Sequence, residues 1–134
     1  MEDNALFFSE DSFARKLGIE LIHTTPGTAI MQLFITDDHK NFHGTVHGGV
    51  LFALADAAFS VACNSHGIPA VAINTSITFM KAVTKGTLTA QADEFSVNPK
   101  LGTYSVEITN ENHEKIALFV GLAYRKTKKN GSER

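Results

Sequence analysis

At 134 residues, 43% hydrophobic and 19% charged, the chain has an ordinary globular composition and the length of a single domain. Its formal net charge of −2 leaves no electrostatic footprint for nucleic acid, and no apolar run approaches the ~18 residues of a membrane span. Cys63 stands alone, which excludes an intrachain disulfide and fits a reducing compartment, and the acids at Glu2, Asp3, Glu10 and Asp11 argue against a signal peptide. The expectation is one cytoplasmic domain over residues 1–134, ending in a solvated basic tail from Lys126 to Arg134.

In chain order, Ser12 to Leu17 reads as a short helix with a capping residue in front and Gly18 behind. Ile19 to Thr24 and Thr28 to Ile35 read as strands around the turn Thr25-Pro26-Gly27. Asp37 to Val46 is a polar loop rich in His, Asn and Gly. A long apolar helix follows, ended by Gly67-Ile68-Pro69. The period then changes to two: Val71, Ile73, Thr75, Ile77 and Phe79 alternate with Ala72, Asn74, Ser76 and Thr78, the pattern of a half-buried strand. Further strands are expected over Leu88 to Val97, Thr103 to Asn110 and Ile116 to Leu122. One helix lying across an antiparallel sheet is an α+β arrangement. The helix is apolar all round, so its far side needs cover, and a second copy in a closed dimer is a natural source of it.

The chemistry concentrates on that helix. From Gly48 to Ser65 the only charged residue is Asp56, set among Ala, Leu, Val, Phe and Cys. A carboxylate in such surroundings is costly unless paired, hydrated or neutralised, and reactivity is one reason to keep it. Gly48 and Gly49 lie at the helix start, where backbone N–H groups have no intrahelical partner and can hold a developing oxyanion. Ser60 lies four residues after Asp56, on the same face, within reach of the carboxylate or a water beside it. Eight residues separate Gly48 from Asp56, roughly 12 Å along a helix at ~1.5 Å per residue. One carbonyl needs both groups within about 3 Å. If both are catalytic, Gly48 of one subunit must meet Asp56 of another.

The residues Asn41-x5-His47-Gly48-Gly49-x6-Asp56, with Ala57-Ala58-Phe59, Asn64, Gly67, Ala70-Val71-Ala72, Ile77-x-Phe79, Tyr104 and Ala117-x-Phe119-x-Gly121, resemble the PaaI-type acyl-coenzyme A thioesterases of the hotdog fold, named for phenylacetate degradation. The resemblance covers about residues 12 to 125. It implies a long central helix wrapped by an antiparallel sheet, in homodimers that commonly pair into homotetramers. It implies hydrolysis of an aryl-acetyl or medium-chain acyl-coenzyme A, with no metal and no cofactor, since coenzyme A is part of the substrate. It further implies that the Gly48 N–H polarises the thioester carbonyl and Asn41 helps hold the carbonyl or the water. His47 positions the substrate or supports Asn41, Asp56 of the facing subunit activates water or attacks, and Ser60 orients it. The acyl and coenzyme A groups would meet Gly49, Leu51, Phe52, Phe59, Phe79 and Lys81. Two departures stand out: Lys81-Ala82-Val83 lacks a proline the family often has after this strand, and Ala72 stands where some relatives carry a Ser or Thr.

Structural alternatives stay open: His47 as a helix cap, Asn41 as a turn residue, Gly48 and Gly49 as packing glycines, Ser60 as core. His39, His43 and His47 recur at a metal-ligand interval, but Gly44 interrupts them in a loop, so no metal is expected. Cys63 reads as a small core residue rather than a nucleophile. The rival functions are a hydratase or dehydratase of the same fold, with His43 or His47 as base, and a non-catalytic acyl-coenzyme A binding module.

Overall fold

The structure, a computed structural model, describes residues 8–126. Helix α1 spans Ser12–Leu17, and it starts where the Asp11 carboxylate accepts the Ala14 N–H at 3.1 Å. It ends at Gly18, whose φ of 87° is the left-handed conformation that glycine adopts without strain. Strands β1 (Glu20–Thr25) and β2 (Thr28–Phe34) form a hairpin; a 3-10 turn over Asp37–His39 leads through a loop to helix α2 (Gly48–Cys63). Strands β3 (Ala70–Phe79), β4 (Thr87–Val97), β5 (Leu101–Thr109) and β6 (Lys115–Arg125) complete one six-stranded sheet in the order β1-β2-β4-β5-β6-β3, antiparallel throughout. This is the expected hotdog arrangement. Of the expected tail, only Lys126 falls within the described residues.

The period-two pattern of the strands decides what meets the helix. Met31 and Leu33 on β2, Leu88, Ala90 and Ala92 on β4, Val106 and Ile108 on β5, and Phe119 on β6 all face inward and are buried. Alanines in the middle of this face let α2 lie close to the sheet. Phe59, fully buried, is seated between the rings of Tyr104 and Phe119, with centroids 5.8 and 5.6 Å away. Gly121 lies directly beneath it: a Cβ there would stand 2.7 Å from Phe59 Cε1.

Three expectations need correction. The helix ends at Cys63, before Gly67-Ile68-Pro69, because the Asn64 side chain takes over. Its Nδ2 donates to Ser60 O at 2.9 Å and to Ala70 O at 3.1 Å, while Ala70 N–H donates to Asn64 Oδ1 at 2.9 Å. The same side chain thus ends α2 and fixes where β3 begins. Secondly, the sheet of one chain already wraps most of α2, so no partner is needed to cover a whole far side. Only Gly48, Gly49, Phe52, Asp56 and Ser60 of the helix escape full burial, and they form a single seam. Thirdly, β3 is not half-buried by simple alternation. A bulge between Ala72 and Asn74 shifts its phase, and as an edge strand paired only with β6 it is exposed on both faces over most of its length.

The tight fit under Phe59 yields a prediction. Gly121→Ala should cost about 1–3 kcal/mol, because both the ring and the strand below it are held on all sides. Urea denaturation measures this. Phe59→Leu in the Gly121→Ala background should cost less than in the wild type, and an unchanged midpoint for Gly121→Ala alone would show that the fit is not tight.

Candidate active site

Helix α2 begins with its capping residue. His47 Nδ1 accepts the Gly49 N–H at 2.8 Å, and His47 O accepts from Val50 N at 2.9 Å and Leu51 N at 3.2 Å. Because a backbone N–H can only donate, Nδ1 carries no proton, and the neutral ring presents Nε2–H outward. The Gly48 N–H is left with no acceptor among the described residues. It stands at the positive end of a 16-residue helix, the end of the dipole that favours an anion or a polarised carbonyl oxygen. The ring of Phe79, half-exposed at the end of β3, lies against Gly48: a Cβ there would be 3.2 Å from Phe79 Cζ.

The Gly49 N–H, in contrast, is already engaged by His47. Asn41 is occupied too. Its Oδ1 accepts from His43 N at 2.9 Å and Thr45 N at 3.2 Å, and its Nδ2 donates to Thr45 Oγ1 at 3.0 Å. These bonds make Asn41 the organiser of the loop before α2. No hydrogen bond joins His47 to Asn41.

Asp56 lies on the open seam, half-buried, with no hydrogen bond or ion pair among the described residues. Burial raises its pKa from the ordinary 3.8, and the negative charge of Asp11, the cap of α1, raises it further. An unpaired carboxyl held above its usual range is a stronger base than a solvated one. Ser60 shares the seam, but no hydrogen bond joins it to Asp56; its carbonyl accepts from Asn64. Since α2 runs unbroken from Gly48 to Cys63, the first N–H and the acid stay ~12 Å apart along one axis.

The expected lining divides by helical phase. Phe52 and Gly49 are on the seam, Phe52 resting on Phe119 with ring centroids 5.5 Å apart. Leu51 and Phe59 do not line an open site in the chain: they lie about 100° around the helix from Phe52 and Ser60, facing the sheet, and are buried in the core. Lys81 donates to Glu114 Oε2 at 2.9 Å in an exposed ion pair. Burial, and then the Asp56 charge, push the Cys63 thiol up to about 12, so it is not a thiolate nucleophile. Sequence reasoning missed two residues. Asp11 reads only as a cap in sequence, and His39 only as one of three spaced histidines. His39 is buried, and both of its ring nitrogens are hydrogen-bonded.

The raised pKa of Asp56 has a signed consequence for stability. A carboxyl that binds its proton more tightly in the folded chain weakens folding once it ionises. The penalty is absent below pH 3.8, grows as pH rises toward the folded value, and is constant above it. Asp56→Asn should therefore melt higher than wild type at pH 7, with the gap closing toward pH 3.5 or so in thermal melts. Asp11→Asn, which keeps a good cap, should lower the Asp56 pKa as titrated by carboxyl ¹³C NMR; no change there would remove Asp11 as a cause.

Comparison with known proteins gives this geometry a family. The thioesterase superfamily profile matches residues 43–117, the stretch from the loop before α2 to inward-facing Ala117 on β6. The acyl-coenzyme A thioesterase PaaI of Escherichia coli is 40% identical over 119 residues, spanning 88% of this chain and 85% of that protein. Human acyl-coenzyme A thioesterase 13 is 30% identical over 109 residues, 78% of each chain. The structure of the Escherichia coli PaaI protein, from a phenylacetic acid degradation operon, superimposes with a TM-score of 0.88 at 37% identity, covering 91% of this chain and 89% of that one. By sequence and by fold, the chain belongs to the thioesterase superfamily.

Proposed function

We propose that the protein hydrolyses acyl-coenzyme A thioesters in the cytoplasm, as a homodimer whose two sites are each shared between subunits. The observation that carries this reading is the pairing of an acceptor-free Gly48 N–H with an unpaired Asp56 on one seam of one helix, too far apart to act on the same carbonyl. A two-fold axis beside the seam brings Gly48 of one subunit toward Asp56 of the other. Strand β3 supports such an axis. Its ten residues, Ala70–Phe79, contain no charge and no proline, and Ile73 and Phe79 are 54% and 52% exposed. Edge strands are ordinarily protected by charge or proline, and one left without either is suited to pairing with its own copy. The apolar outer face of β6, where Leu118, Val120 and Tyr124 are partly exposed, supports pairing of dimers into a homotetramer.

In this reading the thioester carbonyl oxygen accepts the Gly48 N–H. Water attacks the carbonyl carbon as the Asp56 carboxylate of the facing subunit takes its proton. The tetrahedral oxyanion collapses, the C–S bond breaks, and the coenzyme A sulfur leaves as a thiol with the proton from Asp56. Water, one carboxyl and one N–H complete the balance, so no metal or cofactor enters. His47 holds the helix start and offers Nε2–H beside the carbonyl; Asn41 holds the loop, and Ser60 orients the water near Asp56. Phe52 and Phe79 give an apolar wall for an aryl-acetyl or medium-chain acyl group, and Lys81 exchanges Glu114 for a coenzyme A phosphate. A role in phenylacetate degradation, like that of the Escherichia coli operon, fits the aryl-acetyl choice. The hydratase alternative needs His43 or His47 as an imidazole base; His47 has committed its acceptor nitrogen to Gly49, which leaves that reading to His43, exposed in the loop before α2.

Free-thiol release from a panel of acyl-coenzyme A thioesters tests the activity. Asp56→Asn should reduce kcat about 10²-fold or more. Inactive Asp56→Asn and Gly48→Pro chains, mixed and allowed to exchange, should recover activity in hybrid dimers, whereas folded hybrids without activity would refute a shared site. Separately, Ile73→Asp should convert the dimer to a monomer in light scattering and abolish turnover; an active monomer would place the site within one subunit.

A further inference from the structure

We propose that His39 is a positioning residue for this reaction, the fixed post that aims the Gly48 N–H at the substrate carbonyl. The inference rests on the thioesterase reading above. His39 and Thr24 are the only buried polar or charged residues among those described, and His39 is only 5% exposed. An imidazole costs more to bury than a leucine of similar size, so its bonds must offset that cost.

Those bonds are specific. Thr36 N–H donates to Nδ1 at 3.0 Å, and Nε2–H donates to Leu17 O at 2.7 Å. A backbone donor on one nitrogen and a carbonyl on the other fix both the neutral tautomer and the plane of the ring. Leu17 is the last residue of α1, so the ring ties the end of that helix to the 3-10 turn after β2. The main chain of His39 is held in the same place: its N–H donates to Thr36 O at 3.0 Å, and its carbonyl accepts the His47 N–H at 2.8 Å.

That last bond reaches the site. It pinches the loop of residues 40–46 at its base, and a Lys40–Val46 bridge continues the closure. The Gly48 N–H belongs to the planar peptide between His47 and Gly48, so its direction follows the backbone of His47. His47 is held downstream by the bonds of its carbonyl and Nδ1 to the first turn of α2; upstream its own N–H is held by His39 O, one residue after the Val46 N–H donates to Val83 O at 2.9 Å. An N–H that stabilises an oxyanion acts chiefly in the transition state. Tilting it therefore lowers kcat more than it weakens substrate binding.

The test compares wild type with His39→Leu, which removes both ring bonds, and with His39→Gln and His39→Asn. The Gln amide can still reach Leu17 O, and the Asn carbonyl can still accept from Thr36. Substrate is the best thioester of the panel, rates are referred to folded dimer, and deuterium exchange is followed on peptides containing His47. The expected result for His39→Leu is a kcat lowered about tenfold or more with KM within about threefold, together with faster exchange at His47. Gln and Asn should fall between Leu and wild type. If His39→Leu does not fold, those two variants decide the matter. A lower melting temperature with kcat per folded dimer within about twofold of wild type would mark His39 as merely structural and overturn the proposal. So would a lower kcat with unaltered exchange at His47. A wild type that releases no thiol from any thioester would instead refute the thioesterase reading and take this inference with it.

Discussion

One straight helix cannot bring its first N–H and a side chain two turns further on to the same carbonyl. That constraint governs the molecule. Helix α2 carries the acceptor-free Gly48 N–H at one end and the unpaired Asp56 midway along, on one seam left open by a sheet that encloses everything else. The wrapping sheet matters as much as the helix. It fixes the axis and the rotation of α2 through Phe59, Tyr104 and Phe119, so that the five helix residues not enclosed by the chain include the free Gly48 N–H and the unpaired Asp56. Asn64 then sets the edge strand β3 against the end of the same helix, so the unguarded edge and the open seam border each other.

The carboxyl is kept at a cost to folding. Nothing among the described residues neutralises Asp56, and both burial and the nearby Asp11 work against its charge. A chain selected for stability alone would put an apolar residue or an amide there. Retaining the strained acid is the trade between stability and activity expected where a base must be stronger than a solvated carboxylate. The cap of α1 and the carboxyl of α2 are thus joined electrostatically, while the other end of α1, through Leu17 O and His39, is tied by hydrogen bonds to the start of α2.

Much of this was legible in the sequence because its signals are local. The αL glycine after Leu17, the Pro-Gly turn, the period-two strands and the charge-poor helix each declare themselves within a few residues, and the structure places the elements within one to three residues of the expected bounds. The seam of Gly48, Phe52, Asp56 and Ser60 follows from four-residue spacing. What escaped depends on contacts distant in sequence. The bulge in β3 arises from its pairing with β6, and the burial of Leu51 and Phe59 depends on which face of α2 the sheet takes. Asn41 looked like a ligand for substrate, yet its polar atoms are turned to its own loop, since a short amide competes well for nearby backbone groups. His39 was hidden by its spacing from His43 and His47; its partner Leu17 lies 22 residues away.

Glycine at position 48 serves two requirements at once. Any side chain there would meet the ring of Phe79, so the absence of one lets that aromatic edge lie against the helix start. The ring packs against the Cα side of Gly48, next to its N–H along the chain. An N–H flanked by hydrocarbon interacts with a developing negative charge in a lower dielectric than one open to solvent, and it need not reorient when the charge forms. The acceptor-free N–H, the capping imidazole that bonds Gly49 instead, and the aromatic ring against Gly48 meet at one point, the start of α2. The first two are read from the hydrogen bonds of His47, and the third from the space a missing Cβ makes.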